Sequence, residues 1–93
     1  MSKNTLEREV IKIERNQRGE IVTLRNQFMG WSPVAVDYAI KHIEGGLYKY
    51  FVNIQNVGKI YLTVINENDK KIIRTDPSVV SRNLLEVLPS YVS

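Results

Sequence analysis

Apolar and polar positions along the chain change period at Gly45-Gly46. Just before that pair, Val36, Ala39, Ile40 and Ile43 recur at i, i+3, i+4 and i+7, which lays one apolar stripe along an α-helix. Asp37, Lys41 and Glu44 fall on the opposite side, with Asp37 and Lys41 at the supportive i, i+4 spacing. Ser32 is the expected N-cap and Pro33 the first helical residue. Trp31 and Val36 are spaced for a hydrophobic staple, and Gly45 is the expected left-handed residue after the helix. A helix with one apolar side lies on a surface and needs an apolar partner.

After the glycines the period is two. Leu47 to Ile54 places Tyr48, Tyr50, Val52 and Ile54 on one face and Leu47, Lys49, Phe51 and Asn53 on the other. Gln55-Asn56-Val57-Gly58 turns the chain, and Lys59 to Asn66 returns it with Ile60, Leu62 and Val64 opposite Tyr61, Thr63 and Ile65. Asn66-Glu67-Asn68-Asp69 is a second polar turn, and Lys71 to Thr75 a third strand that Asp76-Pro77 ends.

Upstream, Arg8 to Arg15 reads as a strand with Ile11 and Ile13 on one face and Val10, Lys12 and Glu14 on the other. It turns through Asn16-Gln17-Arg18-Gly19 into Glu20 to Arg25, with either Val22 and Leu24 or Ile21 and Thr23 inward. Phe28 and Met29 are expected against the end of the helix. Asn83 can cap a short helical turn with Glu86 as its reciprocal partner, and Leu84, Leu85 and Leu88 then close one end of the core. The expected fold is one α+β domain over residues 1–93, with 1–7 frayed. About five short, mainly antiparallel strands in the order β-β-α-β-β-β carry one helix across a face.

The chain resembles a family of short bacterial domains of unknown function. The shared features are the opening Ile11-Lys12-Ile13 before a turn with glycine, Trp31-Ser32-Pro33 leading to a helix that ends Ile43-Glu44-Gly45, and a tail with Arg74-Thr75-Asp76-Pro77 and Asn83 to Pro89. The likeness spans Val10 to Pro89, and it departs at Pro77 to Arg82, where the family carries a glycine-containing turn. It implies the same small fold and brings no catalytic residues with it.

Composition narrows the function by exclusion. Thirteen Lys and Arg against ten Asp and Glu give a net charge of +3, with the signs interspersed. That is an ordinary solvated surface, not a concentrated basic groove. The chain has no cysteine and one histidine, His42, which reads as a surface residue, so thiolate metal sites and histidine-assisted hydrolysis are not expected. Gly45-Gly46 precedes a strand and is not a phosphate cradle. No enzyme activity, cofactor or metal is expected. No apolar run is long enough to span a bilayer, and a cytoplasmic location is the default.

What remains is the second face of the central hairpin. Helix coverage of the Tyr48, Tyr50, Val52, Ile60, Leu62 and Val64 face leaves Lys49, Phe51, Lys59, Tyr61 and Thr63, with Ile65, on the outside. A contiguous apolar area with a polar rim marks an interaction site. A protein partner, a homodimer included, is the first expectation. Single-stranded nucleic acid, stacking on Phe51 and Tyr61 beside Lys49 and Lys59, is the second.

Overall fold

The computed structural model describes residues 5–92. Among them are eight strands, one α-helix and a 3₁₀ turn. The strands are β1 (Leu6–Glu9), β2 (Lys12–Arg15), β3 (Ile21–Arg25), β4 (Val34–Ala35), β5 (Tyr48–Ile54), β6 (Gly58–Glu67), β7 (Lys70–Thr75) and β8 (Ser90–Val92). They form two mixed four-stranded sheets, ordered β1-β5-β6-β7 and β4-β3-β2-β8. The expectation of a small α+β fold holds; about five strands in one sheet does not.

The difference begins at Val10. Arg8 to Arg15 does not run as one strand, because the backbone changes partners between neighbouring residues: Val10 N–H donates to Phe51 O at 2.8 Å and Ile11 N–H to Arg25 O at 3.0 Å. β1 thus joins the first sheet, parallel to β5, while β2 joins the second as an antiparallel hairpin with β3. Val10, Ile13 and Leu24 are all fully buried. Of the start expected to fray, Leu6 and Glu7 belong to β1, and residues 1–4 lie outside the described residues. β8 pairs parallel with β2.

The helix α1 (Val36–Glu44) starts later than the capping pattern implies. Val34 and Ala35 are extended and pair with Leu24 and Thr23, so the sheet takes the residues that the cap assigned to the first turn. The Ser32-Pro33 peptide bond is cis. Ser32 Oγ accepts from Asn26 N–H at 2.9 Å and closes the loop before the helix instead of capping it. Ala35 stands at the N-cap with no side-chain cap bond. At the other end Gly46, not Gly45, takes positive φ at +72°. Gly46 N–H donates to Ile43 O and Leu47 N–H to His42 O, the paired bonds of a Schellman stop.

The expected stripe is the buried one: Ala39 and Ile40 are in the core, with Val36 and Ile43 packed against it. One core joins the inner faces of both sheets, from Ile13, Leu24 and Val34 on one side to Tyr50, Val52, Ile60, Leu62 and Ile73 on the other. Leu84 and Leu85 of the 3₁₀ turn (Leu84–Val87) close it, as their spacing predicts. Asn83 Oδ1 accepts from Leu85 N–H at 3.1 Å, and buried Thr75 Oγ1 accepts from Leu84 N–H at 2.9 Å. Between β6 and β7, Asn68 and Asp69 both carry positive φ, the conformation a two-residue hairpin turn demands. Phe28 and Met29 do not pack on the helix end; they are 79% and 47% exposed.

Candidate protein-interaction surface

The register of β5 against β6 sets Phe51 directly opposite Tyr61. Val52 and Ile60 beside them turn into the core, so this ring pair faces outward by alternation. The rings meet edge to face, centroids 6.4 Å apart at 70°. Lys59 Nζ sits 4.5 Å from the Phe51 centroid and 5.1 Å from that of Tyr61, and Lys49 Nζ sits 5.3 Å from Tyr61. Both ammoniums are in range of the ring quadrupoles. Thr63 lies on the same side, opposite Arg74, and Ile65 opposite Ile72 extends the band to β7.

β1 supplies what the sequence reading missed. Glu7 pairs in register with Lys49, and its carboxylate forms an ion pair with Lys59 while accepting from Tyr61 Oη at 2.7 Å. The hydrogen bond from Lys59, then that from Tyr61, holds the Glu7 carboxyl below the usual carboxylate range. Glu7 in turn raises Lys59. No signal near residue 7 pointed here, because a parallel pairing between β1 and β5 leaves no short-range pattern. All five expected surface residues are brought together. Leu84 and Leu85 are buried in the core, Phe51 is half-buried, and Tyr61 stays 37% exposed.

A second cluster lies at the end of the inner face. Arg8 NH1 donates to Tyr50 Oη at 2.9 Å, and His42 Nδ1 is 2.8 Å from the same oxygen. Arginine only donates, so a phenol proton given to Nδ1 leaves all three groups satisfied, with His42 neutral and its proton on Nε2. The Arg8 guanidinium lies 3.5 Å from the Tyr48 ring centroid and 5.4 Å from Trp31, whose ring meets Tyr50 edge-on at 5.8 Å. His42 is therefore not the surface residue its isolation implied, and Trp31 packs on Tyr50 rather than serving as a staple. Burial, then the charge of Arg8, holds His42 below its ordinary value. Burial also raises Tyr50, against the opposing pull of Arg8. Tyr50 is fully buried while Arg8 and His42 are half-buried, and the trio ties β1, β5 and α1 together at the edge of the core.

A groove of about 750 Å³ runs between the β2–β3 turn, the start of α1 and the β6–β7 turn. Arg15, Arg18, Lys70 and Lys71 along it are matched by Glu20, Asp37, Glu67 and Glu86, so its charge cancels. Lys70 bonds Glu20 at 2.9 Å, and the Asn16 amide and Lys70 together push Glu20 down to about 2. Among the described residues no group of three His, Cys, Asp or Glu is placed to hold a metal, and no helix is long and apolar enough to cross a membrane. Comparison of the chain with protein-family models, with curated proteins and with solved structures found no match.

Proposed function

We propose that the chain is a non-enzymatic protein-interaction module of the cytoplasm, related to the short bacterial domains it resembles, that docks through the outer face of β5 and β6. The observation that carries this reading is the Phe51–Tyr61 pair. It is an aromatic contact held outside the core, continued by Thr63, Ile65 and Ile72 and rimmed by Lys49 and Lys59. A second copy is the partner that suits it best. Lys49 and Glu9 stand on this face by strand alternation, with opposite signs and with no ion-pair partner among the described residues. Each can meet its counterpart across a two-fold axis, as an isologous contact requires.

Single-stranded nucleic acid is the weaker reading. Lys59 is already neutralised by Glu7, and the lysine ammoniums occupy positions close to the rings on which bases would stack. Amide spectra over a dilution series test the two together. Concentration-dependent shifts at Lys49, Phe51, Lys59, Tyr61 and Thr63, abolished by Phe51→Ala, support the module. Shifts at those residues only on adding a mixed-sequence oligonucleotide, and lost with salt, replace it with the nucleic-acid reading.

A further inference from the structure

The outer face of the second sheet carries an electrostatic anomaly. Its register sets Lys12 directly opposite Arg25, and the neighbours Ile13 and Leu24 turn inward, so both cations face out together. Like charges directly opposite in an antiparallel pair destabilise it. One carboxylate relieves the strain on one side only: Glu14 takes Arg25 NH2 at 3.0 Å. Lys12 makes no ion pair or hydrogen bond among the described residues.

Over this pair lies a depression of about 290 Å³, lined by Lys12, Arg25, Gln27, Ser32, Pro33 and Tyr91. The lining contains no carboxylate, and every polar side chain in it can donate. Ser32 Oγ is held in place by accepting from Asn26 N–H, which leaves its hydroxyl proton to give. The Arg25 guanidinium is set 5.3 Å from the Tyr91 ring centroid, and its Nε has no hydrogen-bond partner. The volume lies just below the range of ligand sites, about 300–1,000 Å³, and suits only a small group.

We propose that this depression binds a small oxyanion, a phosphate or carboxylate group, between Lys12 and Arg25 with Ser32, Gln27 and Tyr91 completing the donor set. Glu14 already pairs with Arg25, and the anion supplies the counter-charge that Lys12 lacks. This site is separate from the β5–β6 face and independent of its function.

The test is titration of the labelled protein with inorganic phosphate, with acetate and with chloride at constant ionic strength. Phosphate or acetate is expected to shift Lys12, Arg25, Gln27, Ser32 and Tyr91 selectively and to raise the melting temperature, with chloride doing neither. Phosphate acting alone assigns a tetrahedral anion, whereas equal action by acetate assigns any small carboxylate. Lys12→Gln is expected to weaken binding about tenfold, the loss of one charge-assisted hydrogen bond. Because that change also removes the like-charge contact, it leaves the fold at least as stable in anion-free buffer. Shifts spread equally over Lys41, Lys49 and Lys59, an effect of chloride equal to that of phosphate, or unchanged affinity in Lys12→Gln overturns the site.

Discussion

The hydroxyl of Tyr50 lies 2.8 Å from Nδ1 of His42, and the same oxygen accepts from Arg8 at 2.9 Å. One phenol thereby serves the neutral histidine as donor and the arginine as acceptor. If His42 gains a proton, Nδ1 and Arg8 both become donors to Tyr50 Oη, and the buried phenol proton loses its acceptor. The folded chain resists that proton, while the unfolded chain takes it at the ordinary value of 6.5. Stability from His42 is therefore full above 6.5 and is lost as pH falls through the lower folded value. Urea midpoints are expected to fall between 6.5 and the carboxylate range in the wild type. His42→Gln, whose carbonyl can accept the same hydrogen bond without titrating, should stay flat there.

Tyr50→Phe keeps the ring and removes the shared oxygen. Arg8 then loses an acceptor and His42 a donor, both at half-buried positions, at a cost of about 1 kcal/mol. Chemical denaturation measures it. Hydrogen exchange of β1 should rise more than that of β6, since Arg8 is the strand's inward anchor.

Ser32→Ala separates the two roles open to that hydroxyl. In the structure it bonds Asn26 N–H, and Asn26 is only 6% exposed. The substitution is expected to cost about 1 kcal/mol. Exchange should quicken at the Asn26 amide and stay unchanged in the first turn of α1, whereas a capping role would give the reverse.

Thr75→Val is nearly isosteric and removes the acceptor of Leu84 N–H inside the core. The orphaned donor costs about 1–3 kcal/mol, and Thr75→Ser, which keeps the oxygen, should recover much of it. Thermal melts of the two variants decide the point.

How far the sequence disclosed this molecule depends on the range of each interaction. The α1 stripe, the β5–β6–β7 meander and the Asn83 cap rest on local spacing, and they fold as that spacing implies. The Phe51–Tyr61 face was legible because alternation alone assigns it. The β1–β5 and β2–β8 pairings were not, since parallel neighbours far apart in sequence leave no short-range period. Ser32-Pro33 carried a helix-start signal that pairing of Val34 with Leu24 overrode. Glu7 and Arg8, opposite sides of one edge strand, came into view only once β1 was seen beside β5.

The most direct test of the proposed docking face is the amide spectrum of the full chain from low micromolar to millimolar concentration. The proposal predicts shifts centred on Lys49, Phe51, Lys59, Tyr61 and Thr63, with Phe51→Ala remaining folded and concentration-independent. Shifts centred on another surface, or a spectrum unchanged at every concentration, contradict it.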